Sequence, residues 1–378
     1  MADSSPQRAN FRRFMFSPSG WPYLLVPFIP LAVALELIHA SPSVIFFVSA
    51  AGVIPTAALM GRATEELAER SGPGIGGLLN VTFGNAPEII IALFALEKGL
   101  HEVVKASLIG SILGNILLVL GAAMLVGGIG RERQTFNRTA ASAQSSLLML
   151  AAAALAMPAI FELVEGRGLP RPEDEVVNYG GTVEHLSIAV AIILLLSYTA
   201  GLLFSLKTHK DLFNPEGHED PDHGEPWTVR KAVAMLAIAG VAVGIMSEIL
   251  VGSIAEAAES VNLSEFFIGV IVVAIVGNAA EHWVAVLVAY KDKMDLAVNI
   301  AIGSSAQIAL FAVPVLVLVS FVLGPHPMAL VFNGFELAAI FLAVIIANQV
   351  TNEGESTWFE GVQLLSVYAI LGLAFLFA

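Results

Sequence analysis

Two glutamates lie inside long apolar runs of this 378-residue chain, each at the end of the same short pattern. Asn85 and Glu88 are three positions apart, and so are Asn278 and Glu281. Residues at this spacing share one face of a helix, so each pair presents an amide oxygen and a carboxylate together. Oxygen ligands of this kind bind hard cations such as Ca²⁺. The pattern therefore predicts a site for a hard cation, at carboxylates that can also take up protons.

The residues around each pair predict interrupted helices. Gly84 and Gly277 precede the two asparagines, and Pro87 lies inside the first pattern. Pro87 has no N–H to donate to the carbonyl four residues earlier, and glycine weakens a helix to a smaller extent. Main-chain carbonyls near Gly84 and Gly277 could then act as further ligands. Ca²⁺ takes roughly six to eight oxygens, with water completing the set.

The two patterns belong to a longer internal repeat, because one offset of 193 residues aligns several segments. It also places Gly76 on Gly269, Gly110 on Gly303 and Glu66 on Glu259. Polar residues close to the Gly110 and Gly303 positions are further candidate ligands: Ser111, Asn115, Ser304, Ser305 and Gln307. Asn115 and Gln307 are one position out of register. Gly110 and Gly303 favour close helix approach or simple small-residue packing.

Several other polar residues have two open interpretations. His282 follows Glu281 but lies about 100° round the helix, so it is either a packed histidine or part of a proton path. Glu66 and Glu259 lie near predicted membrane edges. They are either groups through which cations reach the site or carboxylates that are simply solvated. Three further glutamates without repeat partners are expected to be solvated or interfacial: Glu36, Glu248 and Glu336.

Composition assigns the chain to the membrane. Hydrophobic residues make up 57% and charged residues 13%, about half the charged share of a soluble protein. An ordinary soluble enzyme is therefore excluded, and the lipid bilayer is an expected partner. The net charge of −14 argues against nucleic acid as a partner, and the absence of cysteine excludes disulfides and thiolate metal sites. Oligomeric state, including a homo-oligomer, is left open.

The apolar runs predict an all-α polytopic membrane protein with eleven transmembrane helices. The predicted spans are 21–40, 43–61, 73–97, 104–128, 140–164, 183–206, 229–254, 263–290, 296–323, 327–348 and 359–378. They divide the chain into a cytoplasmic tail (1–20), an extra first helix (21–42), a five-helix repeat (43–206), an acidic loop (207–228) and a second five-helix repeat (229–378). A charge at a helix centre costs roughly 2.5–3.5 kcal/mol, so Glu88 and Glu281 mark an ion pathway unless they are paired or protonated structural groups.

Charge in the loops predicts the orientation. Most of the 18 basic residues fall in cytoplasmic loops if the N-terminus is cytoplasmic and the C-terminus is on the opposite side, in the cell (inner) membrane. An odd number of helices per repeat makes the second repeat inverted, which is typical of secondary transporters. The acidic loop is either a solvated linker or a weak Ca²⁺ or proton sensor.

The motifs resemble those of a known family. The segments GGLLNVTFGNAPEIIIAL (76–93) and FFIGVIVVAIVGNAAEHWVAV (266–286) resemble the two signature repeats of Ca²⁺/H⁺ antiporters in the cation/Ca²⁺ exchanger superfamily. The resemblance implies that Glu88 and Glu281 bind Ca²⁺ and protons competitively under alternating access. It implies a transporter without a cofactor, in which Ca²⁺ is the transported ion. Pro87 stands where threonine is common in the family.

Alternatives from other functional classes are weaker. A Na⁺-coupled Ca²⁺ exchanger often carries an aspartate in the ninth-span repeat, where this chain has Gln307, which favours proton coupling. A Ca²⁺-permeable channel does not account for inverted repeats. The segment His101–Lys105 (HEVVK) begins like a zinc-protease motif but lacks the second histidine, so no complete catalytic set is present and no enzyme is predicted.

Overall fold

The chain folds into a bundle of helices. The computed structural model describes residues 20–172, 180–209 and 227–378, apart from the side chains at 72–75, 77–78 and 81. The predicted tail and most of the acidic loop therefore lie outside the described residues. Within these ranges, the only strands are the two-residue β1 (Gln134–Thr135) and β2 (Glu355–Ser356), which pair antiparallel. The prediction of an all-α class is confirmed for the described residues.

The first half of the chain contains seven α-helices in the described residues. They are α1 (Phe28–Leu37), α2 (Pro42–Gly84), α3 (Ala86–Glu97), α4 (His101–Leu113), α5 (Leu120–Gly128), α6 (Arg138–Val164) and α7 (Gly181–Leu203). A 3₁₀ turn, Trp21–Leu25, precedes α1. The π-helical segment Gly114–Val119 joins α4 to α5, and Phe204–Thr208 extends α7.

The second half is built in a similar way. Its helices are α8 (Val229–Gly252), α9 (Ile254–Ser260), α10 (Glu265–Phe267), α11 (Ala274–Tyr290), α12 (Met294–Gln307), α13 (Val313–Val319), α14 (Gly334–Glu353) and α15 (Trp358–Leu376). The π-helical segment Ile268–Val273 joins α10 to α11, and Ile308–Ala312 joins α12 to α13. The π-helical segments that follow α4 and α12 begin one position apart once the 193-residue offset is applied.

Nine helices of the described residues are long and apolar enough to cross a membrane. The other two predicted spans, 21–40 and 73–97, do not form helices of this length. The first corresponds to the shorter apolar segment Trp21–Leu37. The second consists of the end of α2 followed by the short helix α3. That segment is not a straight helix. A Cβ on Gly76 would lie 2.3 Å from the carbonyl oxygen of Ala68, whereas eight residues of straight helix rise about 12 Å. The chain therefore turns sharply after Ser71, where the long span that starts at Pro42 ends.

Two spans form the centre of the bundle. The most apolar window of His101–Gly128 is 78% buried and that of Met294–Val319 is 67% buried, against 17% for Trp358–Leu376. These central spans carry the candidate ligands that follow Gly110 and Gly303. The outer helices present large apolar side chains on their surfaces, such as Ile370 and Leu373 on α15. The bundle thus buries its polar candidates among apolar core side chains and presents further apolar side chains on its outer surface.

Gly110 allows the closest of these central contacts. A Cβ at this position would lie 2.0 Å from the carbonyl oxygen of Val270, so α4 packs directly on the backbone of the π-helical segment before α11. Gly269 lies in the same crossing, against Ala106. Small residues permit this approach of two helix backbones, as we expected for Gly110. The crossing brings the first half of the chain against the helix that carries Glu281.

Candidate functional site

The first signature pattern lies at a break between two helices. α2 ends at Gly84 and α3 begins at Ala86, with Asn85 between them at φ −97° and ψ 19°. Glu88 is therefore in the first turn of α3, where main-chain groups lack helical partners. The predicted interruption is confirmed here, and the missing N–H of Pro87 is a sufficient reason for it.

The second pattern lies in a continuous helix. α11 runs from Ala274 through Gly277 and Glu281 to Tyr290, so the interruption predicted at Gly277 is wrong. The residue matching Pro87 is Ala280, which keeps its N–H and preserves the ladder. The irregularity of this copy lies earlier, in the π-helical segment Ile268–Val273.

The two glutamates meet where the first turn of α3 packs against α11. A Cβ added to Gly277 would lie 3.5 Å from both Cγ and Oε1 of Glu88, so the Glu88 side chain lies directly on the helix that carries Glu281. The two carboxylates interact electrostatically. Oε2 of Glu88 is buried and has no hydrogen-bond partner among the described residues. A buried oxygen of this kind is suited to a cation or a proton.

Asn278 is held with its oxygen free. Its Nδ2 donates to Ser111 Oγ at 3.0 Å and to the carbonyl of Ala274 at 2.9 Å. Because a carbonyl can only accept, this contact fixes which end of the amide faces Ala274. Oδ1 is buried without a partner in the described part of the chain. Asn278 is thus oriented as an oxygen ligand.

Each asparagine binds a side chain from the other half of the molecule. Asn85 Nδ2 donates to Gln307 Oε1 at 2.8 Å, while Asn278 binds Ser111. Both asparagines are nearly fully buried, at 2% and 1% exposure. Gln307 and Ser111 lie on the two central spans but are not repeat counterparts, because the offset aligns Ser111 with Ser304. The two contacts join α3, α4, α11 and α12 at one place.

The serines that follow Gly110 and Gly303 have different partners. Ser304 Oγ donates to Glu281 Oε2 at 3.2 Å, whereas its repeat counterpart Ser111 accepts from Asn278. Ser305 donates to the carbonyls of Ala301 at 2.9 Å and Ile112 at 3.4 Å. The structure therefore brings Ser304 to a carboxylate and gives Ser305 main-chain partners.

His282 and Asn115 form a separate contact beside the glutamates. Nε2 of His282 lies 3.2 Å from Oδ1 of Asn115. The ring packs over Gly114, where a Cβ would lie 3.7 Å from Cε1. Nδ2 of Asn115 has no partner within the described ranges. Two residues that we proposed independently are thus neighbours, one on each half of the chain.

Glu66 is covered by the end of the acidic loop. Its Oε2 accepts the backbone N–H of Trp227 at 2.7 Å, and the side chain is only 8% exposed. Arg62 and Lys231 lie over the Trp227 ring, 4.9 and 4.4 Å from its centroid. The neighbouring Glu65, which we did not single out from the sequence, interacts electrostatically with Glu281.

Glu66 and Glu259 lie at opposite ends of the bundle. Ser260, next to the exposed Glu259, hydrogen-bonds to Ser43 near the start of α2. Glu66 lies 23 residues further along α2, about 34 Å at the rise of a helix. The two glutamates matched by the repeat therefore have different neighbours, and Glu66 is buried whereas Glu259 is exposed.

Three polar side chains on the helices were missed or misjudged from the sequence: the half-buried Gln144, the exposed Asn299 and Glu336. Gln144 Nε2 donates to Asn299 Oδ1 at 2.5 Å, and both side chains lie beside Gly303. A polar side chain within a predicted apolar span is the signal that could have identified them. Glu336 is fully buried, with 0% exposure, so the prediction that it is solvated or interfacial is wrong. Its neighbours on α4, far away in sequence, enclose it.

Replacing Asn278 by alanine is expected to raise the Ca²⁺ concentration for half-maximal uptake about tenfold, which corresponds to about 1.4 kcal/mol. The substitution removes an oriented amide oxygen and leaves Ser111 without its donor. The measurement is initial Ca²⁺ uptake by reconstituted protein over a range of Ca²⁺ concentrations. Asn352→Ala is the control, because Asn352 is exposed and bonds only within α14 among the described residues. Equal half-saturation in the two variants would contradict a ligand role for Asn278.

Comparison with known proteins connects this geometry to a family. Residues 41–207 and 231–377 match the family model described as sodium/calcium exchanger protein. The chain is 43% identical over 369 residues to a protein named Ca(2+)/H(+) antiporter from Synechocystis, covering 94% of this chain and 96% of the relative. It is 44% identical over 354 residues to Ca(2+)/H(+) antiporter ChaA from Bacillus subtilis, covering 92% and 96%. These relatives are named as transporters, not as enzymes.

The fold agrees with a solved structure. The structure of native YfkE superposes with a TM-score of 0.79 at 42% identity, over 94% of this chain and all of the other. Together with the nine apolar helices, these similarities identify an integral membrane protein. The paired Gly-Asn patterns lie in both segments that the family model matches. The chain belongs to the Ca²⁺/H⁺ antiporter family of the cation/Ca²⁺ exchanger superfamily.

Proposed function

We propose that this protein exchanges Ca²⁺ for H⁺ across a membrane, and that Glu88 and Glu281 bind the two substrates competitively. The observation that carries the proposal is the packing of Glu88 against Gly277, because it brings two interacting carboxylates into one buried site. The free oxygens of Glu88 and Asn278 add the ligands that a hard cation requires. The names of the relatives from Synechocystis and Bacillus subtilis support the same substrates.

Competition follows from the charges of the two substrates. Two ionised glutamates hold one dehydrated Ca²⁺, and the cation in turn favours their ionised form. Protonation removes the negative charge that binds Ca²⁺, so either substrate displaces the other. Ser304 donates to Glu281 and steadies its ionised form. One Ca²⁺ or two protons neutralise the pair.

Alternating access requires that the site open to one side at a time. We propose that eleven spans form one extra helix and two inverted five-helix repeats, with Trp21–Leu37 and the interrupted segment through α3 completing the count. The matching positions of α4 with α12 and of their π-helical segments support this arrangement. Occupancy by Ca²⁺ or by protons permits the change of face, whereas two bare buried carboxylates oppose it.

The orientation sets the direction of transport. We propose a cell-membrane protein with a cytoplasmic N-terminus, a cytoplasmic acidic loop at 207–228 and a C-terminus on the opposite side, on the distribution of basic residues. Glu66 and Glu259, at opposite ends of the bundle, are then candidate cation-access groups for the two sides. A proton gradient directed into the cell drives Ca²⁺ out of the cytoplasm.

The test is ⁴⁵Ca²⁺ flux in proteoliposomes that contain the full chain. An imposed pH gradient is expected to drive Ca²⁺ uptake against its own gradient, and a pH-sensitive dye is expected to report proton movement in the opposite direction. Uptake that follows a Na⁺ gradient and ignores pH would assign the chain to Na⁺-coupled exchange instead. Downhill Ca²⁺ flux without proton movement would indicate a channel. Protein-free liposomes supply the background.

A further inference from the structure

Polar side chains are buried together at the beginning of α4, away from the Glu88–Glu281 pair. Glu102 and Lys105 on α4 are 8% and 2% exposed, and Glu336 in the first turn of α14 is 0% exposed. His101, at the start of α4, is 7% exposed. Glu102 lies nine residues before Ser111, about 13 Å along the helix. The cluster is therefore distinct from the site at Asn278.

The contacts of the cluster leave one carboxylate oxygen of Glu336 unused. Lys105 forms an ion pair with Glu102, and its Nζ donates to the carbonyl of Val331 at 2.7 Å. Oε2 of Glu336 accepts the N–H of Asn333 at 2.9 Å in a capping box. Oε1 is buried and has no partner in the described ranges, although Glu102 and Lys105 act on this carboxyl electrostatically.

The charges of the cluster do not balance if both glutamates are ionised. Lys105 pairs with Glu102, so an ionised Glu336 would place a second buried negative charge beside this one ammonium group. Such a charge costs several kcal/mol, whereas a neutral carboxylic acid costs far less. A positive charge on His101 offers no remedy, because its ring faces Lys105 and His326.

In the part of the chain that the structure describes, charged groups on the other elements that pack on α14 are paired or lie at its far end, where Arg138 of α6 packs beside Gly354. At the near end of α6, Glu162 is paired with Arg167 at 3.3 Å. Ala159, in the preceding turn, packs with Val331 and the partly buried Leu337, so this pair lies at the same end as Glu336. Glu355 of β2 lies at the far end of α14 and is paired with Arg133.

We propose that Glu336 binds a proton on Oε1, and that Glu102, Lys105 and Glu336 form a second proton-binding site of this protein. The proton comes from water at that end of the bundle and converts the carboxylate to a neutral acid. Its loss puts two carboxylates beside one ammonium group and weakens the packing of α14 on α4. The site thus makes the contact between these helices depend on pH, independently of Ca²⁺ transport.

Infrared spectroscopy of the purified full-length protein tests the proton directly. At neutral pH, wild type is expected to show a carboxylic-acid C=O band that Glu336→Gln loses. Glu102→Gln is expected to lose it too, because Lys105 is then free to pair with an ionised Glu336. Spectra that are the same in wild type and both variants would overturn the proposal. The readout is unaffected if the protein proves not to exchange Ca²⁺ for H⁺.

Stability against pH provides a second measurement with a matched control. A proton bound only in the folded state stabilises the protein less as pH rises, because the unfolded carboxyl is ionised by neutral pH. The difference in apparent Tm between wild type and Glu336→Gln is therefore expected to fall by at least about 2 °C from acidic to neutral pH. Glu360→Gln, which alters the equivalent capping box at Thr357, is expected to follow wild type. A difference that does not change with pH would contradict the proton site.

Discussion

Replacing Glu281 or Glu88 by glutamine is expected to reduce pH-driven Ca²⁺ uptake to the level of protein-free vesicles. Glutamine has nearly the same shape, and Ser304 can still donate to its oxygen at position 281. It cannot supply the negative charge that compensates Ca²⁺ or take up the exchanged proton. Loss of one partner from a buried charge pair costs about 2–5 kcal/mol, so we expect at least an about 30-fold fall.

Glu248→Gln is the control for these two substitutions. Glu248 is exposed on α8, and the same change of charge there is expected to leave uptake unchanged. Protein yield and monodispersity in detergent should be similar for all three variants, because none changes side-chain volume appreciably. Robust exchange by either Glu88→Gln or Glu281→Gln would refute the proposed site. Loss of uptake in Glu248→Gln would show that charge alone, wherever it lies, affects the assay.

Replacing Gly110 by alanine is expected to lower both stability and transport strongly. The new methyl group would lie 2.0 Å from the carbonyl oxygen of Val270, and a backbone atom cannot move away as a flexible side chain can. Overpacking of this kind typically costs about 1–3 kcal/mol, and more when the backbone is the obstacle. Separating α4 from the segment before α11 would also pull Ser111 from Asn278. We expect the apparent Tm to fall by about 4 °C or more.

Gly61→Ala is the matched control for Gly110→Ala. Gly61 lies within α2, and a Cβ there would meet nothing within 4 Å. Alanine is also the better helix former, so stability is expected to stay the same or rise. Thermal unfolding in detergent and ⁴⁵Ca²⁺ uptake in liposomes measure both variants. Equal stability of the two would mean that the crossing at Gly110 can relax, contrary to the steric argument.

Much of the fold could be predicted because the signals are local. A run of apolar residues long enough to span a membrane is visible in any short stretch of sequence, and nine of the eleven predicted spans are long helices in the described residues. The break at Asn85 was also predictable, since Pro87 removes a hydrogen bond from its own helix. The interruption predicted at Gly277 was wrong, because glycine weakens a helix without breaking its ladder.

For the candidate site too, the residues could be predicted from the sequence but their contacts could not. The sequence identifies Glu88, Glu281 and the two asparagines, because charged and amide side chains are costly in apolar runs and the repeat gives each one a counterpart. The contacts of Asn85 with Gln307 and of Asn278 with Ser111 are not evident from the sequence. These contacts join residues 222 and 167 positions apart, and no local pattern records such a pairing.

Sequence alone thus determined the class of protein and the repeated motif, and it indicated which residues are proposed to hold a cation, since each depends on the cost of polar groups in a bilayer. Tertiary structure alone decided which oxygens are free, that Glu66 lies under Trp227, and that Glu336 is buried beside Glu102 and Lys105. The physical reason is that burial and hydrogen bonding depend on neighbours brought by packing. A glutamate near the end of a predicted span has the same local sequence whether solvent or another helix covers it.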